Sequence, residues 1–208
     1  MKVLHVNSSP RGAHSSTLSV TNTFLDSLKA KFDDLELEHL NLFDTDLPAI
    51  AGENIDTKYG ILMGQSPSPS QQASWQQIEK LIQQFMDADI LVISSPMWNF
   101  GISYALKYYI DAIVQPGYLF KYNEQGMPEG MVSGKRMICI TSRGADYSEN
   151  SPFNAYDFQV PYLRAIFGFI GITDIEFINA QPLDIGPDIR SQALEAANTQ
   201  AQTLAANY

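Results

Sequence analysis

The feature that most restricts how this chain can fold is a set of short, almost unbroken apolar runs separated by helix-like stretches. "ILVISS" (90–95) and "KRMICITS" (135–142) carry too few polar positions to leave one face in water. A strand of this kind must be covered on both faces, as central strands of a parallel sheet are. "KVLHVN" (2–7) reads the same way, whereas "LELEHLNL" (35–42) alternates with period two and belongs near a sheet edge. "DIEFINA" (174–180) supplies a fifth strand.

Between these runs the spacing switches to helical. Helices are expected near 18–32, from about Ser74, over 104–114, around 162–172 and over 187–207. In the second, Trp75, Ile78, Leu81, Ile82 and Phe85 fall on one face. Strands alternating with helices predict an α/β fold, a five-stranded parallel sheet wrapped on both faces as a three-layer α/β/α sandwich. Its 208 residues are expected to form a single domain spanning 1–208. Residues 43 to 72, with Pro48, Pro67 and Pro69 and no sustained periodicity, read as a long connection that covers a site or a subunit contact.

Charge narrows the function. The formal net charge of −10 repels polyphosphates and anionic membrane surfaces, so neither nucleic acid nor membrane is an expected partner. The single Cys139 sits in an apolar run and reads as a small core residue. The N-terminus "MKVLHVNSSPRG" has the pattern of neither a signal peptide nor a membrane span, which predicts a cytoplasmic location. His5, His14 and His39 lack metal-ligand spacing, and His5 reads as a core histidine.

In such a sheet, ligands bind beyond the carboxyl ends of the strands, at the point where strand order reverses. Three loops leave on that side. "SSPRGAHSST" (8–17) offers Ser8, Ser9, Ser15, Ser16 and Thr17 before a helix, where free N–H groups and the helix dipole favour an anion. Ser15 or Ser16 serves equally well as a simple helix cap. "PMWNFGIS" (96–103) offers the rings of Trp98 and Phe100, the amide of Asn99, and Gly101 for close backbone approach. Those rings can cover core, a subunit neighbour or a flat ligand. "SRGADY" (142–147) adds Ser142, Arg143, Gly144 and Tyr147.

Together the loops suit a ligand with one phosphate and one flat polar ring, a description that flavin mononucleotide meets. The chain has no G-x-x-x-x-G-K-[ST] triphosphate loop and no G-x-G-x-x-G dinucleotide fingerprint. It also lacks the G-x-S-x-G elbow of a serine hydrolase.

Read in order, "KVLHVNSSPRG", "SPMWNFGISYALKYYID", "GYLFKYNEQGMPEGMVSGK", "ITSRGADY" and "YLRAIFGFIGITDIEFINA" resemble the FMN-dependent NADH-azoreductase family, a branch of the flavodoxin-like quinone reductases. The resemblance implies that Ser9, Ser15, Ser16 and Thr17 surround the FMN phosphate. It implies that Pro96, Met97, Trp98, Asn99 and Phe100 line one edge of the isoalloxazine, and that Ser142, Arg143, Gly144 and Ala145 contact the ring system. Trp98 stands where the family usually has Tyr, and Ala145 where it usually has a second Gly. The resemblance further implies a homodimer in which Phe120, Tyr122 and Tyr147 help to form the substrate pocket. The implied reaction is two-electron, ping-pong transfer from NADH or NADPH through FMN to quinones or aromatic azo compounds. A flavodoxin-like electron carrier serving protein partners is the main alternative, and a non-catalytic interaction platform is a second.

Overall fold

The computed structural model describes residues 1–208. Strand β1 (Lys2–Asn7) leads through a loop into helix α1 (Ser16–Lys31), followed by β2 (Glu36–Asn41), α2 (Glu53–Leu62), α3 (Pro69–Asp87) and β3 (Ile90–Pro96). Then come α4 (Tyr104–Ile113), the short strands β4 (Phe120–Tyr122) and β5 (Pro128–Gly130), β6 (Arg136–Ser142), α5 (Val160–Phe169), β7 (Asp174–Ala180) and α6 (Pro187–Ala206). The main sheet is parallel throughout and has five strands in the order β2-β1-β3-β6-β7. The chain therefore moves outward from β1 to β2 and then reverses to β3 on the other side. The loops after β1 and β3 flank the switch point, where a cleft opens.

Pleating divides each strand between two cores. Val3, Val92, Ile138, Ile140 and Ile178 face a cluster with α1 and α6, where Phe24 and Leu28 meet an alanine row of Ala197, Ala201 and Ala205. Leu4, Val6, Leu91, Ile93 and Cys139 face the opposite cluster with Trp75, Phe85, Tyr109 and Phe167. Each large side chain so buried contributes about 1.5–3 kcal/mol. Edge strand β2 buries only Leu40, matching its alternating sequence.

Two expectations about the second quarter of the chain need correction. Residues 43–72 are not one irregular connection, because α2 lies within them. Helix α3 starts at Pro69, ahead of Ser74, because Ser68 and Gln71 form a capping box with Pro69 at the first helical position. Between α4 and β6, β4 and β5 pair as an antiparallel hairpin whose side chains are exposed except for Phe120. Its end docks backbone to backbone on the C-terminus of α5. The Val132 N–H donates to Ile170 O at 2.9 Å, and a Cβ on Gly130 would stand 2.3 Å from the Ile170 carbonyl carbon.

Candidate functional site

The loop after β1 is held down before it reaches the cleft. Ser8, fully buried, donates both its N–H (2.9 Å) and its hydroxyl (2.8 Å) to Ser94 O on β3. It thus serves as an anchor below the rim. A 3-10 turn over Gly12–His14 brings Ser15 to the N-cap of α1, where its Oγ accepts the Leu18 N–H at 3.1 Å. The Ser9 hydroxyl donates to the same Oγ at 2.8 Å. Ser16 and Thr17, the first residues of α1, make no hydrogen bond through their backbone N–H groups, and no acidic side chain lies in that turn. Two N–H donors, a ring of hydroxyls and the positive end of a helix therefore face one spot.

The loop after β3 takes two side-chain-bearing residues into the left-handed region. Asn99 (φ 47°) and Phe100 (φ 71°) are its two non-glycine residues with positive φ. Trp98 and Gly101 exchange N–H to carbonyl bonds at 3.0 Å in each direction, closing a tight turn of the type I′ kind around them. The left-handed backbone of this turn falls on Asn99 and Phe100, and Gly101 closes it. For a bulky residue such as Phe100, this conformation is strained. The closed turn leaves Trp98 and Phe100 36% and 43% exposed. Trp98 packs partly against Phe43 and Tyr104, and Phe100 against Tyr156.

The loop after β6 is pinned from beneath. The Arg143 guanidinium, 2% exposed, donates from Nη1 to Asp157 Oδ2 at 2.9 Å and from Nε to Thr141 Oγ1 and Gln159 Oε1. Burial lowers its pKa and Asp157 works against that loss. Its side chain is therefore committed inward, and within this chain it stands as a strut rather than a free cation at the rim. Gly144 lies so close to the following loop that a Cβ would come 2.5 Å from Asp184 Oδ2. Ala145 keeps negative φ, so its replacement of a glycine costs no backbone strain.

One cleft of about 160 Å³ gathers Ser9, Ser15, Ser16, Thr17, Pro96, Met97, Trp98, Ser142, Arg143 and Gly144. Asn99, Phe100 and Ala145 do not line it. Phe120, Tyr122 and Tyr147 do not line it either. Phe120 and Tyr147 are each 9% exposed; Phe120 packs on Phe169, and Tyr147 lies near Arg143 and Phe153. Of the three, only Tyr122, 52% exposed, opens to solvent, with one side edge-on to Phe120.

A fourth segment, not expected from the sequence, comes from the end of β7 into α6: Leu183 and Asp184 of the loop and Arg190 of the helix line the same cleft, joined there by Arg11 of the first loop. A readable signal existed for Arg190. It is a cation in the first turn of a helix, where the dipole opposes it and favours the acid of the same turn, Asp188. His5 lies elsewhere, buried and bonded to His39 Nδ1 (2.9 Å) and Ser94 Oγ (2.8 Å).

The family described as having a flavodoxin-like fold matches residues 1–205. An FMN-dependent NADH:quinone oxidoreductase of Pseudomonas fluorescens is 35% identical over 206 residues, covering 98% of this chain and 95% of the relative. Another with that name, from Nitratidesulfovibrio vulgaris, is 36% identical over 204 residues, covering 96% and 97%. Among solved structures, an azoreductase of Bacillus anthracis superposes with a TM-score of 0.91 at 27% identity, with full coverage of both chains. A Bacillus anthracis FMN-dependent NADH-azoreductase in complex with FMN gives 0.85 at 28% identity, covering 98% and 99%. With its reversed parallel sheet, its hydroxyl-lined cleft at the switch point and these full-length matches, the chain belongs to the flavodoxin-like family that includes the FMN-dependent NADH:quinone oxidoreductases.

Proposed function

We propose that this protein is an FMN-dependent NADH:quinone oxidoreductase that also reduces aromatic azo compounds. The observation that carries the reading is the first turn of α1. Two unpaired backbone N–H groups and the hydroxyls of Ser9, Ser15, Ser16 and Thr17 face a cleft with no acid in that turn. That donor set fits a phosphate monoester. The cleft holds about 160 Å³, room for a phosphate and a polyol chain, so a flat ring would lie outward along the Met97–Trp98 side.

When bound, FMN supplies the two-electron chemistry, taking a hydride from NADH and delivering the electrons to a second substrate. The protein's part is to hold and orient. Ser9, Ser15, Ser16 and Thr17 fix the phosphate. Pro96, Met97, Trp98, Asn99 and Phe100 border the ring, the strained turn keeping two aromatic faces ready for planar substrates. Ser142, Gly144, Ala145 and the main chain of Arg143 close the other side, and the N–H groups of Gly144 and Asn99 would be the donors for negative charge on the ring.

The reading includes one domain over 1–208, a cytoplasmic location where NADH is regenerated, and a homodimer. Tyr104, Tyr108, Tyr156 and Phe158 are exposed, and an apolar groove runs by Ile102, Phe158 and Tyr162. A second copy would cover these and bring Tyr122 towards the neighbouring site. Analytical ultracentrifugation should show a dimer.

The test is an anaerobic stopped-flow titration of FMN-loaded protein with NADH, repeated with NADPH, then with a simple quinone. Bleaching of the flavin band followed by full recovery on quinone is expected. Flavin that binds but stays oxidised with both nucleotides would overturn the enzyme reading in favour of an electron carrier.

A further inference from the structure

Arg190 sits at the wrong end of its helix. It lies in the first turn of α6, where unpaired N–H groups already carry partial positive charge. Its Nη1 donates to Leu183 O at 3.1 Å, and its Nη2 reaches Ser16 Oγ at 2.6 Å, on the first residue of α1. Two acids stand near it: Asp184 is 4.0 Å away and 80% exposed, too loose to neutralise it, and Asp188 shares the first turn of α6. The start of α1 contributes the unpaired N–H groups of Ser16 and Thr17, and Arg11 lines the same cleft. In a chain of net charge −10, this small volume gathers two guanidinium groups and these N–H groups against one lining carboxylate, Asp184.

We propose that Arg190 reads the phosphate of the flavin and so sets the preference for FMN over unphosphorylated riboflavin, a role that rests on the FMN-binding reading above. Through its bond to Ser16 the guanidinium is held ready beside the hydroxyl cradle, and a planar cation there can meet a phosphate with two parallel N–H bonds. Its bond to Leu183 O fixes it to the loop after β7, so the fourth loop closes the phosphate end of the cleft. Asp184 competes weakly for the same head group and yields to a dianion.

The experiment is a fluorescence-quenching titration of apoprotein with FMN and, separately, with riboflavin, at low and high salt. Wild type, R190Q, R190K and D184N are compared, with circular dichroism melting as a folding control. R190Q should weaken FMN binding about 10- to 100-fold and leave riboflavin within about two-fold, a difference expected for losing a charge-assisted bond. The salt dependence of FMN binding should flatten in R190Q, R190K should recover part of the affinity, and D184N should tighten FMN alone. Equal loss of both ligands in R190Q would overturn the proposal, showing that Arg190 only props α6 against α1. Unchanged FMN affinity in R190Q would overturn it too. A wild type that takes up no FMN would instead overturn the proposed function itself, and this role with it.

Discussion

Thr17 Oγ1 stands 2.6 Å from Ser142 Oγ, so the first turn of α1 is tied to the end of β6 by residues 125 positions apart. Thr17 is almost fully buried, and its own backbone carbonyl accepts the Thr21 hydroxyl at 2.9 Å. The tie fixes two of the four loops relative to each other. T17V should cost about 1 kcal/mol, the usual net value of one hydrogen bond. S142A should cost a similar amount, and the double variant should be no less stable than the weaker single one, because both lose the same bond. Urea unfolding of the four proteins checks this; fully additive losses would mean the hydroxyls act separately.

The turn at Asn99 and Phe100 makes a sharper prediction. Glycine adopts positive φ freely, asparagine tolerates it, and a β-branched residue resists it. N99G should therefore stay within about 0.5 kcal/mol of wild type, and N99V should lose about 1–2 kcal/mol. If valine is tolerated as well as glycine, the turn is not held in solution. N99A should leave the flavin reduction potential nearly unchanged if main-chain N–H groups carry the interaction, and spectroelectrochemistry would show a large shift if the side chain carries it.

How much of this was legible depended on how local the cause was. The central strands were readable because double coverage leaves its mark on every residue of "ILVISS". The hydroxyl loop was readable because turn and cap residues cluster there. Helix α2 was not, since Gly52 caps it without a side chain and its buried residues are Asn54 and Thr57, which make no apolar stripe. The start of α3 was written in Ser68, Pro69 and Gln71 but obscured by a Ser/Pro-rich run. The positive φ of Phe100 runs against its own preference, so only the closed turn reveals it. The inward turn of the Arg143 side chain was not legible, because its partners, Asp157 and Gln159, come from a later segment that folds beneath it.

His5 links stability to pH. The Thr21 hydroxyl donates to Thr17 O, so the Ser94 hydroxyl donates to Thr21, 2.7 Å away. Ser94 Oγ then accepts from His5 Nε2–H, and His5 Nδ1 accepts from His39 Nδ1–H. In this arrangement His5 is neutral; a cationic His5 would donate from Nδ1 as well and turn His39 Nδ1 into the acceptor. Burial first, and the nearby His39 second, bring its pKa down to about 4. Unfolded chains bind this proton near pH 6.5. The contribution of His5 is therefore intact above about pH 6.5 and is lost as pH falls towards 4, by an amount on the order of 2–3 kcal/mol. H5Q should be less stable at neutral pH and should show a flatter decline between about pH 6.5 and 4.5. Parallel slopes for H5Q and wild type in that window would rule His5 out as the source.

Asp157 holds two structures at once, and this makes it the most sensitive position below the cleft. Its Oδ2 pairs with the buried Arg143, while its Oδ1 accepts the N–H groups of Gln159 (2.9 Å) and Val160 (3.1 Å) at the start of α5. The residue at the formal N-cap, Gln159, makes no capping bond of its own. D157N keeps an oxygen for the helix but leaves the guanidinium uncompensated, and D157A removes both. Removing one partner of a buried pair costs about 3–5 kcal/mol, so D157A should approach that range and D157N should fall below it. The loss should hardly change with salt, since a buried pair is poorly screened. Arg143 also carries the loop of Gly144 and Ala145, so FMN affinity should fall with stability in both variants. A D157N protein that melts like wild type and keeps its FMN affinity would show that Thr141 and Gln159 suffice to hold Arg143 in place.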